Sequence, residues 1–167
     1  MNSNVFLSLG SNIGDKIHNL NSAIEALNEN NSINILIKSS IYKTSPMYNN
    51  NQTDFYNMII KIGTSLSPSE LLGMIKFIEL KLGRKTSKRR NMPRVIDIDI
   101  LTFDDEELNT EVLTIPHQRL YERKFVLLPW EEIAPDHYIS QLRKSVKELL
   151  IDINDDNKIE MLKKELI

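Results

Sequence analysis

The chain has 167 residues, of which 41% are apolar, and a formal net charge of −2, so it is about the size of one domain with a real core. It has no cysteine, which excludes disulfides and thiolate metal sites, and its charge argues against a nucleic-acid partner. No apolar run reaches the roughly 18 residues needed to cross a membrane, and residues 1–4 lack the pattern of a signal peptide, so a cytoplasmic location is expected.

The first half of the chain predicts a strand, a helix and two further strands. Residues 5–9 predict a strand that Gly10 ends, and apolar residues at helical spacing predict a helix near 15–29. The isoleucine-rich residues 33–43 predict a second strand. A loop rich in amide side chains follows, and residues 55–65 predict a third strand.

The second half begins with a well-marked helix. Ser67 and Glu70 form a capping-box pattern around Pro68, which suits the first helical position, and Gly83 ends the helix. Four apolar residues at helical spacing form its predicted buried stripe: Leu71, Ile75, Ile78 and Leu82. Residues 95–103 then predict a fourth strand.

The element order β-α-β-β-α-β predicts an α+β fold with a ferredoxin-like core, in which an antiparallel sheet carries both helices on one face. Beyond residue 104 the sequence predicts a loop containing Pro116, an apolar stretch over 125–130, and helices near 141–150 and 157–166. The whole chain, 1–167, is expected to be one domain, with a core over about 5–135 and a helical tail over about 141–167.

Two carboxylates in the fourth strand are the first candidate for chemistry. Asp97 and Asp99 are separated by one residue, so in a strand they leave the same face with Cα atoms about 6.5 Å apart. Such a pair suits Mg²⁺, which takes one or two carboxylates and accepts phosphate oxygens. The alternative is an exposed sheet face, where alternate acidic residues are common.

The segment before this strand is strongly basic. Residues 83–94 carry six cations and no acid: Arg84, Lys85, Lys88, Arg89, Arg90 and Arg94. A concentration of cations in a balanced chain indicates either an anion site or a solvated loop. Cations beside magnesium ligands match the needs of polyphosphate transfer, which depends on positioning and charge neutralisation.

Other sequence motifs are weaker evidence for a functional site. Residues 10–15 resemble a glycine-bearing turn into a helix, but they lack the endings of a P-loop and of a dinucleotide fingerprint. Residues 152–156 begin like a calcium loop, yet Asn157 replaces the central glycine and Lys163 the final glutamate. His18 and His137 have no partner at metal-ligand spacing and are predicted at the surface.

Seven short segments in the right order resemble the 6-hydroxymethyl-7,8-dihydropterin pyrophosphokinase family, over about residues 5–135. They are Gly10-Ser11-Asn12-Ile13-Gly14-Asp15, Tyr42-Lys43-Thr44-Ser45-Pro46, Asp54-Phe55-Tyr56-Asn57, Ile78-Glu79-Leu80, Pro93-Arg94-Val95-Ile96-Asp97-Ile98-Asp99-Ile100, Ile115-Pro116-His117 and Arg123-Lys124-Phe125-Val126-Leu127. The resemblance implies transfer of a diphosphate from ATP to a hydroxymethyl-pterin in folate biosynthesis, by a monomeric enzyme.

The resemblance also implies residue roles. Asp97 and Asp99 match aspartates that hold two magnesium ions between ATP and the pterin, with Arg84 and Arg94 as catalytic cations. The pterin is expected to contact Asp97 and five further residues: Thr44, Met47, Phe55, Asn57 and Phe125. Phe55 and Phe125 match an aromatic pair that stacks on the ring. Nucleotide contacts are expected from Glu79, Arg84, Arg94, Ile100, Thr114, His117 and Arg123.

The basic segment departs from the family pattern. Thr86 stands where relatives often carry a cation, and Asn91 and Met92 replace the usual Trp-Gly before Pro93. Three alternatives therefore stay open at this point: a ferredoxin-like nucleic-acid-binding module, a magnesium-dependent nucleotidyltransferase that releases pyrophosphate, and a relative that binds without catalysis.

Overall fold

The computed structural model describes residues 3–45, 53–84, 93–155 and 157–163. The predicted pterin contact Met47 and the basic residues 85–92 lie outside the described residues.

The core of the fold is a sheet of six antiparallel-paired strands. Their bounds are β1 Ser3–Ser11, β2 Ile33–Lys38, β3 Ile41–Thr44, β4 Phe55–Thr64, β5 Asp97–Phe103 and β10 Ile159–Lys163. The spatial order is β10-β3-β4-β1-β5, and β2 also pairs with β4. The predicted ferredoxin-like arrangement is confirmed, because β1 and β4 lie at the centre and β5 at one edge.

Four α-helices and four two-residue strands complete the described elements. The helices are α1 Lys16–Asn28, α2 Pro68–Lys81, α3 Lys124–Ile133 and α4 Val146–Asp152. The short strands are β6 Leu108–Asn109, β7 Thr114–Ile115, β8 Tyr138–Ile139 and β9 Lys144–Ser145, and a 3₁₀ turn spans Leu120–Glu122. None of the described helices has the length and apolar content that a bilayer crossing requires.

The helices α1 and α2 cover one face of the sheet. Alternate residues of β1 point to this face, and they pack with the buried stripes of both helices in one apolar cluster that includes Val5, Leu7, Leu20 and Ile75. The capping box predicted for α2 is present, since the Ser67 side chain accepts from the Glu70 amide while the Glu70 side chain accepts from the Ser67 amide. Gly83 follows the helix with φ +95°, a conformation that favours glycine.

The other face carries a second apolar cluster, built on α3 and α4. Phe6, Ile59 and Leu101 of the sheet pack there against Trp130. His137 belongs to this layer: its ring centroid is 4.7 Å from that of Phe6 and 5.5 Å from that of Trp130. The prediction of a surface histidine at this position is only partly right, because the half-buried ring packs against Phe6 and Trp130, which also contact each other.

The predicted strand over 33–43 is divided in two. Ser39 and Ser40 interrupt it, so that β2 pairs with the end of β4 and β3 with its beginning. The carboxylate of Glu132 in α3 fits into this break, where it accepts from the Ser40 amide at 2.9 Å, the Ser40 hydroxyl at 2.7 Å and the Tyr42 hydroxyl at 3.0 Å. Burial and this carboxylate raise the pKa of Tyr42, which keeps the hydroxyl protonated as a donor.

The tail is only partly helical. The first predicted helix forms over Val146–Asp152, later than expected, behind a second capping box at Ser145. The second predicted helix, near 157–166, is wrong: residues 159–163 form β10, which pairs antiparallel with β3. A free edge of backbone donors and acceptors on β3 favours strand pairing over an isolated helical turn.

Candidate active site

Backbone register places two predicted groups of residues on one face of the sheet. Gly10 in β1 lies opposite Asn57 of β4 on one side and Asp97 of β5 on the other. Ser8, two residues earlier in β1, lies opposite Asp99. Because residues directly opposite in antiparallel strands share a face, the amide of Asn57 and both carboxylates lie on the same face of the sheet, across β4, β1 and the edge strand β5.

The amide side of this face is tightly organised. Asn57 is buried, and its Nδ2 donates to Thr44 Oγ1 at 2.9 Å. A Cβ atom at position 10 would lie 3.0 Å from Asn57 Oδ1, so only glycine leaves this amide undisturbed. Phe55, two residues before Asn57, leaves the same face and is half-buried.

Two arginines neutralise Asp97. Arg84 Nη1 lies 2.6 Å from Asp97 Oδ1, and Arg94 Nη1 contacts the other carboxylate oxygen. Arg84 follows the end of α2 and Arg94 precedes β5, so the two flanks of the basic segment converge on one carboxylate. All three side chains keep about a quarter of their surface exposed, which leaves them accessible to a ligand.

Asp99 has more distant partners than Asp97, and its charge is less well compensated. Its Oδ2 lies 3.7 Å from Arg123 Nη1 and 4.0 Å from His117 Nε2. Burial and the neighbouring charge of Asp97 raise the pKa of Asp99 to about 6. Burial and the Arg123 charge lower the pKa of His117 to about 4, so the imidazole is neutral at pH 7 and offers Asp99 no full counter-charge.

Glu79 is buried, with 1% of its surface exposed. Its Oε1 accepts from the Ile98 amide at 2.8 Å and contacts Arg84, while its Oε2 accepts from Lys76 Nζ at 3.0 Å. Burial raises the pKa of Glu79, although the Ile98 hydrogen bond, Lys76 and Arg84 oppose the rise. The carboxylate therefore links α2 to the edge strand and orients the guanidinium that faces Asp97.

Three of the predicted nucleotide contacts, Thr114, His117 and Ile100, lie in two different surroundings. Thr114 and His117 line a cleft of about 310 Å³ beside the short strands β6 and β7, where Thr114 Oγ1 accepts from Gln118 Nε2 at 3.3 Å. The Ile100 side chain instead lies in the core under α1 and α2, 4% exposed, on the face opposite to the carboxylates. The structure therefore leaves only the backbone of Ile100 for contact with a ligand at this edge.

The start of α3 closes the other side of the carboxylate pair. Arg123 caps this helix, and its guanidinium carbon lies 5.8 Å from the centre of the Phe125 ring. Phe125 is half-buried and packs against the second apolar cluster. The arginine that approaches Asp99 and one of the two predicted stacking rings thus belong to one turn of chain.

Most predicted site residues therefore converge, and several contributors were not predicted as site residues. Three further residues contact or adjoin the predicted site residues: Lys76 binds Glu79, Ser8 lies opposite Asp99, and Asn12 hydrogen-bonds to the backbone of Arg94. Asn12 directly follows β1, which continues through Ser11, whereas the sequence pattern predicts that Gly10 ends this strand. Its partner is 82 residues away, so local spacing contains no signal for the contact.

The donor set at this site fits magnesium. Among the described residues no group of three or more histidine, cysteine or acidic side chains could form an all-protein metal cage. Asp97 and Asp99 provide two carboxylates on one strand face, and the raised pKa of Asp99 reflects a charge that a cation would stabilise. One or two carboxylates, completed by water and phosphate oxygens, are the usual protein contribution to a magnesium–nucleotide site.

Comparisons with known proteins agree on one family. A family model described as 7,8-dihydro-6-hydroxymethylpterin-pyrophosphokinase (HPPK) matches residues 6–135. The 2-amino-4-hydroxy-6-hydroxymethyldihydropteridine pyrophosphokinase of Bacillus subtilis is 45% identical over 134 residues, which cover 80% of each chain. The protein of the same name from Aquifex aeolicus is 42% identical over 144 residues, covering 86% of this chain and 88% of its own.

A crystal structure of Plasmodium falciparum HPPK-DHPS superposes on 90% of this chain with a TM-score of 0.73 and 18% identity. This chain spans 44% of that longer protein, and the likeness establishes the fold. On the family match and the two bacterial relatives, the chain belongs to the 7,8-dihydro-6-hydroxymethylpterin-pyrophosphokinase family.

Proposed function

We propose that this site transfers a diphosphate group from ATP to the hydroxymethyl group of 6-hydroxymethyl-7,8-dihydropterin, a step of folate biosynthesis that releases AMP. The observation that carries the proposal is the single sheet face on which Asn57 and the pair Asp97 and Asp99 flank Gly10. It joins a pocket wall suited to a flat, amide-bearing ring with an oxygen donor set suited to a metal–polyphosphate.

The pterin side has the required chemistry. Asn57 presents an amide already fixed by Thr44, and a fixed amide binds a heterocycle with little loss of side-chain entropy. Phe55 and Phe125 provide half-buried aromatic faces for stacking, and Met47 completes this set in the proposal. The missing side chain at Gly10 leaves the Asn57 amide in place, because a Cβ atom there would lie 3.0 Å from Asn57 Oδ1.

The phosphate side supplies charge. Asp97 and Asp99 would hold two magnesium ions, which when bound would neutralise phosphate charge and orient the nucleotide. Arg84 and Arg94 face the same carboxylate, so they are positioned to contact the transferred phosphates. His117, Arg123 and Thr114 extend the nucleotide contacts along the edge, together with the backbone of Ile100. Glu79 acts through Arg84, which it orients.

The reaction needs no side-chain nucleophile. The hydroxymethyl oxygen attacks the β-phosphorus and its proton passes to solvent, the bond from that phosphorus to the oxygen bridging the α-phosphate breaks, and AMP leaves with the electron pair. The arginines stabilise negative charge that grows on the transferred group, and the stacked ring holds the attacking oxygen in line.

Product analysis tests the proposal. The protein is incubated with ATP, Mg²⁺ and the reduced pterin alcohol, and we expect AMP and the pterin diphosphate in equal amounts. Release of pyrophosphate instead would identify a nucleotidyltransferase, and RNA retention on a filter without AMP formation would favour the nucleic-acid-binding alternative. The proposal includes a monomer that works in the cytoplasm, which sedimentation analysis and cell fractionation test.

A further inference from the structure

One buried residue connects the two halves of this site through its side chain and its backbone. Asn12 follows β1 directly and is 2% exposed. Its side-chain Oδ1 accepts from the Arg94 backbone amide at 2.8 Å, and its backbone amide donates to the Arg94 carbonyl at 3.1 Å. Both polar groups of the Arg94 backbone are thus bound to a single residue at the end of the central strand.

The backbone carbonyl of Asn12 makes a third contact, to the segment that leads into β4. The Thr53 hydroxyl donates to Asn12 O. Thr53 lies two residues before Phe55 and leads into β4, which also carries Asn57. The two segments that Asn12 contacts therefore lead into different strands, one with the pterin residues and one with the magnesium ligands.

The consequences differ on the two sides. On the phosphate side, the backbone position of Arg94 decides where its guanidinium stands relative to Asp97. On the pterin side, the Thr53 hydrogen bond fixes the direction in which the chain enters β4 before Phe55. Without Asn12, each segment would keep its own strand pairing but would lose its fixed distance from the other.

We propose that Asn12 is a positioning residue that couples pterin binding to nucleotide binding, with Thr53 as its contact on the pterin side and Arg94 on the phosphate side. The inference rests on the proposed function. A ligand that fixes Arg94 also fixes Asn12 and, through it, Thr53. The second ligand then meets a segment that is already ordered, and by linkage the effect is the same in either order of binding.

The coupling factor is measured as the ratio of the pterin Kd without and with a non-hydrolysable ATP analogue plus Mg²⁺, by calorimetry. Typical couplings between sites are about 5- to 150-fold, and we expect the wild type to lie in this range. In Thr53→Val, which replaces the hydroxyl that donates to Asn12 O with a methyl group, we expect the factor to fall to within about twofold of one, while the Kd of the nucleotide alone stays unchanged. Asn12→Ala removes the Oδ1 acceptor of the Arg94 amide but keeps both backbone hydrogen bonds, so it should reduce the coupling factor only in part while weakening nucleotide binding through the loosened Arg94.

Two variants serve as controls. Thr53→Ser keeps the hydroxyl and should restore the wild-type factor. Asn19→Ala disturbs the same turn, since Asn19 Nδ2 donates to Ser11 Oγ and to the Ile13 carbonyl, but Asn19 contacts neither Thr53 nor Arg94 through those bonds and should leave the coupling intact.

A wild type that binds both ligands and forms AMP, together with a Thr53→Val variant that keeps the full coupling factor, would overturn this inference alone. The same holds for a wild-type factor of one, or for equal losses in Asn19→Ala and Thr53→Val, which would reduce the effect to turn stability. A wild type that binds neither ligand would overturn the proposed function and this inference with it.

Discussion

Replacing Asp99 by asparagine should stabilise the metal-free, nucleotide-free protein at neutral pH while removing most of its turnover. Asp99 has a pKa raised from 3.8 to about 6, by burial first and by Asp97 second. At about 1.4 kcal/mol per pH unit, the penalty for its charge is at most about 3 kcal/mol. Since 35% of the side chain is exposed, solvent screening reduces this to about 1 kcal/mol.

The pH dependence of this stability difference follows from the raised pKa of Asp99. Stability linked to Asp99 is fully present below its unfolded pKa of 3.8 and is lost as the pH rises through about 6. The advantage of Asp99→Asn should therefore be absent near pH 4 and complete above pH 7. Asp97→Asn is the matched comparison: Asp97 has two arginine partners, so its neutralisation should destabilise the protein instead, by leaving two guanidinium groups side by side.

Urea unfolding in EDTA at several pH values measures the stability, and AMP release with Mg²⁺ measures the turnover. Both variants should lose several orders of magnitude in turnover, because each removes a proposed magnesium ligand. Mg²⁺ should stabilise the wild type and not Asp99→Asn. An Asp99→Asn protein that is less stable than the wild type at pH 7.5 in EDTA would refute the electrostatic reasoning, and near-normal turnover would refute the ligand assignment.

Three further predictions concern the ring pocket and the second face of the sheet. Phe55→Ala and Phe125→Ala should each weaken pterin binding by about 1–3 kcal/mol with little change in ATP affinity, as measured by calorimetry; equal losses for both ligands would indicate unfolding. Glu132→Gln should lower the free energy of unfolding by about 1–3 kcal/mol, because its amide faces donors that need an acceptor, whereas Glu131→Gln serves as the control. Burial lowers the pKa of His137, so the stability that it contributes is present above about pH 6.5 and is lost as the pH falls. His137→Phe should therefore lose less free energy of unfolding than the wild type between neutral and acidic pH. Identical pH profiles of the two proteins in unfolding experiments would contradict this role of His137.

Local rules predicted the elements whose signals are local. The capping box at Ser67 and the glycine end at Gly83 fix α2 from a few residues each, and both are present. The break at Ser39 and the strand over 159–163 depend instead on partners far along the chain. One is a carboxylate in α3, and the other is the open edge of β3. Periodicity in a short window contains neither partner.

The same division holds within the site. That Asp97 and Asp99 share a face follows from the period of a strand, and the register confirms it. That Glu79 is buried could not be predicted, because its position on α2 resembles that of any solvated acid until the Ile98 amide of the edge strand is found beside it. Ile100 illustrates the opposite case: its parity in β5 already indicated a core side chain, so a side-chain role at the nucleotide was excluded by the strand pattern itself.

The internal ion pairs explain how a chain with a net charge of −2 could present the proposed phosphate site. Arg84 and Arg94 are held by Asp97, and Arg123 lies near Asp99, so each of these three proposed phosphate contacts already has an acidic neighbour. In the proposed function, polyphosphate binding with magnesium would be an exchange of partners: Asp97 and Asp99 would hold the metal, and the arginines would bind the phosphates. The exchange would create no new unpaired charge, which would limit the desolvation cost of bringing a highly charged ligand to a half-buried sheet face.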